Sequence, residues 1–371
     1  MNQAGVDLNA LFQPHLRTLE PYQPVPSLDA IAAEIGIPAD RIAKLDANEN
    51  PYGPSPAVLE AIAGYRGYHR YPDPIHDDLR QAVGAYLGAS PDRIILGAGA
   101  DELIDLLYRL FVAPGNEVID LVPTFGMYRF SADVAGAAYR PVPRRPDFTI
   151  DVDTVHAALT ARTKLIWVAA PNNPTGTPLD VPTAEALAAL GVPLVIDEAY
   201  AEFSGTSFVA LAERYEHVMV LRTFSKWAGL AGLRIGCGVV SPVVAERLLT
   251  IKPPYNVNVA AALAARVALA DSAHRTRTVE AILAERSRLL AVLGSVSYLR
   301  PVPSVANFVY CPVDGASARS LRDALRRRGV LVRFYDSPLL RNAIRVSVGR
   351  PEDTDQLARA LAEISPEEIA G

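Results

Sequence analysis

Short apolar runs rich in Val, Ile and Leu alternate with longer amphipathic segments from about Asp92 to Val240. Such runs suit strands that are buried on both faces of a parallel sheet, with helices as the crossovers between them. The runs cover residues 93–97, 117–122, 164–169, 193–196 and 218–222. Segments 98–111 and 181–190 have the periodicity of helices. The pattern therefore predicts an α/β fold with a mainly parallel sheet between helices.

The pattern changes after about Lys252, where Ala-, Leu- and Arg-rich stretches precede a mixture of strand-like and helical segments. These segments are 260–269, 277–294, 307–310, 318–328 and 343–348. They predict a smaller α+β domain beside the first. Two domains also suit the length, because 371 residues exceed the ~250–300 at which single cores stop growing. We predict an N-terminal arm that joins the small domain (1–45), a large domain (46–255) and a C-terminal small domain (256–371).

The composition excludes several classes of partner. A net charge of -5 argues against nucleic acid and against a membrane surface. Cys237 and Cys311 are too few for a disulfide framework, and the six histidines show no metal-ligand spacing. No signal peptide and no apolar stretch of ~18 residues is found. We expect a soluble, cytoplasmic protein without a metal.

Polar residues follow four of the predicted strands, at the edge of an α/β sheet where ligands bind. Segment 97–102 is small and Gly-rich and opens a helix, which suits a phosphate bound by free backbone N–H groups. Segment 171–176, Pro-Asn-Asn-Pro-Thr-Gly, is a stiff turn. Taken alone, both segments are better explained as ordinary connections, because Gly-rich turns and Pro-rich turns are common after strands.

The other two strand ends carry charge. Asp197 ends a buried apolar strand, where a carboxylate needs a partner or caps a helix. Ser225, Lys226 and Arg234 lie on one loop with Gly229. That combination suits a phosphate monoester beside a reactive amine, because desolvation and nearby cations lower the pKa of a lysine.

The order of these motifs resembles fold-type I pyridoxal-phosphate (PLP) aminotransferases of class I and II. Asn-Pro-Thr-Gly at 173–176 precedes Asp-x-x-Tyr at 197–200, then Ser-Lys at 225–226 with Arg234 eight residues beyond Lys226. The resemblance extends from about Leu19 to Val348. It implies an aspartate-aminotransferase-like fold, with a large PLP-binding domain around a mainly parallel seven-stranded sheet and a smaller α+β domain.

Five further segments resemble the histidinol-phosphate aminotransferases within that family. They are 44–56, 70–73, 99–102, 123–128 and 252–258. The resemblance implies transfer of an amino group between L-histidinol phosphate and 2-oxoglutarate, giving imidazole-acetol phosphate and glutamate, a step of histidine biosynthesis. An aromatic amino-acid aminotransferase remains an alternative, as does a PLP lyase similar to threonine-phosphate decarboxylase. The run 254–258 favours the transaminase over the lyase.

The resemblance also implies a role for each residue around the PLP ring. Lys226 would form a Schiff base with PLP and later move the proton between substrate and cofactor. Asp197 would pair with the pyridine nitrogen, and Asn173 and Tyr200 would hydrogen-bond the phenolic oxygen. Phe125 would stack on the ring at a position where the family more often has Tyr.

The phosphate of PLP would be held by a larger set of groups. By resemblance these are the backbone of Ala100 and Asp101 and the side chains of Thr223, Ser225 and Arg234. Tyr71 would reach the same phosphate from a neighbouring subunit. That role implies a homodimer with shared active sites.

Substrate recognition is predicted around Arg345, which lies in a strand-like run and needs an anion. By resemblance it binds an α-carboxylate through a bidentate fork. Histidinol phosphate has a phosphate at that end, so one arginine would serve both half-reactions. The additional negative charge of a phosphate needs further cations or donors, and the candidates are Arg333, Tyr22 and Asn50. Asn307 is a candidate for orienting either anion. Arg333 is equally explained as a surface residue on a helix-to-strand connection.

Overall fold

The computed structural model describes residues 6–21 and 26–370 and contains two β-sheets. Its strands are β1 (Ala43–Leu45), β2 (Ile94–Gly97), β3 (Glu117–Val122), β4 (Ala138–Pro143), β5 (Thr163–Ala169), β6 (Leu194–Asp197), β7 (Val218–Thr223), β8 (Gly236–Val239), β9 (Phe308–Pro312), β10 (Val330–Ser337) and β11 (Leu340–Ser347). The larger sheet has the order β2-β8-β7-β6-β5-β3-β4. The pairs of β8 with β2 and β7 are antiparallel and the four other neighbouring pairs are parallel, so the predicted mainly parallel seven-stranded sheet is confirmed.

Fifteen α-helices lie in the described part of the chain, and they pack on both the larger and the smaller sheet. They are α1 (Leu8–Leu11), α2 (Leu28–Ile35), α3 (Pro56–Gly64), α4 (Asp77–Leu87), α5 (Ala100–Phe111), α6 (Met127–Val134), α7 (Val152–Ala158), α8 (Val181–Ala188), α9 (Ala201–Ser204), α10 (Val209–Arg214), α11 (Pro242–Ile251), α12 (Val259–Ala270), α13 (Ser272–Gly294), α14 (Ala318–Arg327) and α15 (Pro351–Glu363). One apolar core lies between the sheet and α5, α6 and α11. A second core lies on the opposite face and continues into the smaller sheet.

The segment between β2 and α5 is shaped by Gly99, whose φ of 83° is strained for any residue with a β-carbon. A β-carbon there would also lie 2.5 Å from Nη2 of Arg234. The chain therefore turns sharply, and the N-terminus of α5 lies at the carboxyl end of β2. This is the edge where the sequence predicts a ligand.

The smaller sheet has the order β1-β10-β11-β9 and joins the two ends of the chain. β1 pairs in parallel with β10, while β10, β11 and β9 pair antiparallel. Arg333 lies within β10, opposite Arg345 of β11, and not on a helix-to-strand connection. The predicted domain boundaries stay a prediction; α12, which follows the proposed boundary at residue 255, packs against α3 and α4.

Among the described residues, no helix is both long enough and apolar enough to cross a membrane.

Candidate active site

Two adjoining cavities, of about 200 and 270 Å³, lie at the carboxyl ends of β5, β6 and β7. Both are lined by Ala47, Phe125, Asn173, Tyr200 and Lys226. The first is also lined by the cofactor candidates Ala100, Asp101, Asp197, Thr223, Ser225 and Arg234. The second is also lined by Arg333 and Arg345. The fold therefore brings together residues that are as far apart in the sequence as Ala47 and Arg345, 298 positions.

Lys226 lies on the loop after β7, between the two cavities. Its Nζ donates a hydrogen bond to the carbonyl oxygen of Ala47 at 3.3 Å. Burial, and secondly the positive charge of Arg345, lower the pKa of the amine from 10.5 to about 8. A substantial fraction of the amine is then neutral near physiological pH, which is the nucleophilic form.

Asp197 ends β6 with both carboxylate oxygens engaged. Oδ2 accepts a hydrogen bond from the Tyr128 hydroxyl at 2.6 Å, and Oδ1 accepts one from the backbone N–H of Ala199 at 3.0 Å. Burial raises the pKa of Asp197, and the bond from Tyr128 opposes that rise. Tyr128 is itself fully buried and stacks on Trp167 with ring centroids 4.8 Å apart. Sequence reasoning gave Tyr128 no role, although it ends one of the motifs, at 123–128.

Hydroxyl, guanidinium and backbone N–H groups meet at the far end of the first cavity. The Thr223 hydroxyl donates to Oγ of Ser225 at 3.0 Å and accepts from the Ser225 N–H at 3.1 Å. Nη2 of Arg234 donates to Asp101 Oδ2 at 2.8 Å, beside the N-terminus of α5. A β-carbon at Gly236 would lie 2.6 Å from the backbone nitrogen of Ala100, so β8 can approach this helix end only with glycine there. These donors suit a phosphate group.

Asn173 and Tyr200 form the side of the first cavity that faces the smaller sheet. Oδ1 of Asn173 accepts from Nη1 of Arg345 at 2.6 Å, and Nη2 of Arg345 donates to the Asp46 carbonyl at 2.8 Å. Tyr200 accepts a hydrogen bond from Nδ2 of Asn48 at 3.0 Å, and burial raises its pKa to about 12. Asn48 was not predicted as a site residue.

Two arginines, Arg333 and Arg345, are among the residues that line the second cavity. Among the residues described here, Nε of Arg345 is buried without a hydrogen-bond partner, and the guanidinium of Arg333 has no ion-pair partner. Both groups therefore retain capacity for an anion.

Three predicted residues line neither cavity. Asn50 lines neither cavity: it donates to the Trp227 carbonyl at 2.8 Å and accepts from the Tyr52 N–H at 2.9 Å. Asn307 is fully buried and donates to the Asn48 carbonyl at 3.1 Å. Tyr71 is 82% exposed and lines neither cavity. Tyr22 lies outside the described residues.

Comparison with known proteins decides the family. The model of the family "Aminotransferase class I and II" matches residues 40–361. The chain belongs to this family. The predicted resemblance is thereby confirmed.

Relatives of this aminotransferase cover almost its full length. Histidinol-phosphate aminotransferase of Roseiflexus castenholzii is 48% identical over 96% of this chain and 99% of its own length. A chloroplastic histidinol-phosphate aminotransferase of Arabidopsis thaliana is 42% identical over 96% of this chain and 86% of its own. The crystal structure of histidinol-phosphate aminotransferase from Sinorhizobium meliloti in complex with pyridoxal 5'-phosphate has a TM-score of 0.87 at 30% identity, covering 96% of this chain and 97% of that one.

The first cavity of this aminotransferase has the groups that PLP requires. It offers an amine with a lowered pKa, a buried carboxylate, a flat apolar ring at Phe125 and a cluster of phosphate donors. The glycines at 99 and 236 keep β-carbons out of the phosphate end. The described residues thus fit the cofactor.

Proposed function

We propose that this aminotransferase uses PLP to transfer an amino group between L-histidinol phosphate and 2-oxoglutarate, yielding imidazole-acetol phosphate and glutamate. The observation that carries the proposal is the pair Arg333 and Arg345, which lie opposite one another in the register of β10 and β11 and line the cavity that Lys226 also lines. The similarity to histidinol-phosphate aminotransferases over nearly the whole chain supports it.

Lys226 is proposed as the attachment point and the proton carrier. PLP supplies, when bound, an aldehyde that joins to amines and a ring that accepts electrons from the reacting carbon. The lowered pKa of Lys226 allows its Nζ to exist in both protonation states near neutral pH, as a group that accepts and returns a proton must. Asp197 would keep a proton on the ring nitrogen, and the Tyr128 hydroxyl holds that carboxylate in place.

The remaining cofactor residues are proposed to position the ring and its phosphate. Asn173 and Tyr200 would hydrogen-bond the phenolic oxygen, while Phe125 would cover one face of the ring without a hydroxyl of its own. The phosphate would be bound by the backbone N–H groups of Ala100 and Asp101 and by the side chains of Thr223, Ser225 and Arg234.

Substrate anions are proposed to bind at the two arginines. Arg333 and Arg345 lie opposite one another on neighbouring strands, where like charges repel. A bound dianion would reduce this electrostatic repulsion, which favours binding. A glutamate carboxylate needs one bidentate arginine, whereas a phosphate monoester makes fuller use of two. Roles for Tyr22, Asn50 and Asn307 stay predictions.

The assembly is proposed to be a homodimer in which Tyr71 serves the active site of the other subunit. Its exposure of 82%, outside both cavities of its own chain, supports this arrangement. A cytoplasmic location is also proposed, and two free, buried cysteines are consistent with a reducing compartment.

The decisive experiment compares kcat/KM for histidinol phosphate, glutamate, phenylalanine and tyrosine in wild type and in Arg333→Met. We expect wild type to prefer the phosphate ester, and the variant to lose about 10- to 100-fold for it, as expected when a charge-assisted hydrogen bond is removed, and clearly less for glutamate. Arg341→Met, which removes an exposed arginine of β11, is the matched control. A wild type that uses phenylalanine as well as the ester would instead identify an aromatic aminotransferase.

A further inference from the structure

Asn48 links the smaller sheet to the proposed cofactor site, and each of its four polar atoms is hydrogen-bonded. Its backbone N–H donates to Oγ of Ser347 at 2.8 Å, and its carbonyl accepts from Nδ2 of Asn307 at 3.1 Å. Its Oδ1 accepts from the Ser347 hydroxyl at 2.9 Å, and its Nδ2 donates to the Tyr200 hydroxyl at 3.0 Å. The residue is 1% exposed and has a left-handed φ of 53°, a conformation that asparagine tolerates better than most residues.

The donors and acceptors in this network fix the direction of each bond. Oγ of Ser347 accepts from the N–H of Asn48, so its own proton is available for Oδ1. With Oδ1 held by Ser347, the amide can present only Nδ2 to Tyr200. The Tyr200 hydroxyl is therefore an acceptor in this bond, and its proton remains available for the cavity that Tyr200 lines.

We infer that Asn48 is a positioning residue that holds the Tyr200 hydroxyl as a donor toward the phenolic oxygen of the cofactor. The inference rests on the proposed function and adds to it a residue at the edge of the second cavity that acts through Tyr200. A hydroxyl that accepts a hydrogen bond is a stronger donor, because the chain of bonds is polarised. In agreement, the bond from Asn48 acts to lower the pKa of Tyr200 against the larger effect of burial.

The network also connects Tyr200 to the strand that carries the anion-binding arginine. Ser347 lies two residues after Arg345 on β11. A shift of β11 as a substrate anion binds to Arg345 would act on Tyr200 through Ser347 and Asn48. Asn48 thus joins the substrate half of the site to the cofactor half.

The test is a pH titration of the visible absorbance of the PLP-loaded enzyme without substrate. Asn48→Gly retains the left-handed backbone and removes only the side chain. Weaker donation to the phenolic oxygen disfavours its deprotonated form, so we expect the titration midpoint to rise by about half a pH unit or more. Asn342→Gly is the matched control, since Asn342 also has a left-handed φ (50°) and its amide bonds the carbonyls of Val313 and Ala316, away from both cavities. The control midpoint should not move.

A double-mutant cycle with Tyr200→Phe separates positioning from general structural support. If Asn48 acts through the Tyr200 hydroxyl, Asn48→Gly adds little to the shift that Tyr200→Phe produces alone. Additive shifts, or an unchanged midpoint in Asn48→Gly, overturn the inference. Ser347→Ala, which frees Oδ1 without removing Asn48, should give a smaller rise and decides the matter if Asn48→Gly does not fold.

Failure of this inference differs visibly from failure of the proposed function. A protein without a cofactor absorbance band would contradict the function itself. An unchanged midpoint in Tyr200→Phe would remove the proposed role of Tyr200, and with it that of Asn48. A shift in Tyr200→Phe without one in Asn48→Gly would contradict the role of Asn48 alone.

Discussion

At the scale of single residues, Lys226 shows how the fold prepares an amine for chemistry. Its surroundings lower the pKa from 10.5 to about 8 by withdrawing water and by placing Arg345 nearby. The folded protein therefore binds fewer protons than the unfolded chain between these two pH values. Below pH 8 the amine is charged in both states, and its burial lowers the free energy of unfolding by the full amount. This destabilisation decreases as the pH rises from 8 to 10.5.

Lys226→Met should accordingly stabilise the cofactor-free protein at pH 7. The expected gain is on the order of 2 kcal/mol, because cavity water screens part of the full effect of the lowered pKa. The gain should shrink as the pH approaches 10.5, where lysine is neutral in both states. Thermal unfolding of both cofactor-free proteins at pH 7 and pH 10 measures it. A methionine variant less stable than wild type at pH 7 would contradict the expectation.

The sequence identifies those residues whose charged groups are costly to bury unless they have a partner or a function. A carboxylate at Asp197 and an amine at Lys226, both at ends of buried strands, require an explanation from charge alone. Asn48 and Tyr128 require no such explanation, because neutral amides are common in loops and phenols are common in protein cores. Their roles depend on partners at positions 347, 200 and 197, which no local pattern reveals.

At the scale of elements, a buried charge network joins the ends of β6 and β7 to α9. The guanidinium of Arg222 lies 2.8 Å from carboxylate oxygens of both Glu198 and Glu202. Glu198 is fully buried and directly follows Asp197, while Arg222 precedes Thr223. The network thus fixes the two strand ends that present cofactor-binding side chains.

Arg222→Met should destabilise the protein strongly, because it leaves two buried carboxylates without their cation. Breaking a buried pair typically costs about 3–5 kcal/mol. Arg214→Met removes the exposed partner of Glu185 and should cost less than about 1 kcal/mol. Urea unfolding at pH 7 compares the two midpoints. Equal losses of stability in the two variants would contradict the expectation, because the Arg222 network would then contribute no more than a surface ion pair does.

The elements differ in how clearly their sequences predict them. The strands β3, β5, β6 and β7 are buried on both faces and mainly apolar, and their sequences are recognised as short apolar runs. β4 was not, because it is an edge strand with two prolines and a single fully buried residue, Val142. β10 begins with a buried run but ends in exposed polar residues, so its length, and the place of Arg333 within it, required its pairing with β11.

At the scale of the whole molecule, several exposed aromatic and apolar residues lie on the surface near Tyr71. Tyr71 stacks on Tyr255 with ring centroids 4.6 Å apart, and both rings are accessible to solvent. Tyr68 and Ile75 are exposed on the same stretch of chain. Exposed apolar groups of this kind are typical of subunit interfaces.

Hybrid dimers test whether Tyr71 works in trans. Lys226→Ala and Tyr71→Ala should each be nearly inactive alone. In a hybrid, the site that retains Lys226 would receive Tyr71 from the other chain, so random mixing should restore about a quarter of wild-type activity. Assays after unfolding and refolding the mixture measure it, with each refolded variant as its own control. No recovery would assign Tyr71 to its own chain's site.

The pairing of the first strand with the end of the chain constrains how the protein is synthesised. β1 pairs with β10, and the bond between Asn48 and Ser347 spans 299 residues. During synthesis, Lys226, Asp197 and the proposed phosphate-binding residues therefore leave the ribosome before β10 and β11, which carry the arginines of the second cavity. β1 can pair only after β10 has left the ribosome. Until then, the apolar face of the N-terminal segment and the incomplete cavity are exposed to solvent, which favours aggregation. Completion of the second cavity, which Arg333 and Arg345 line, is consequently a late event of synthesis.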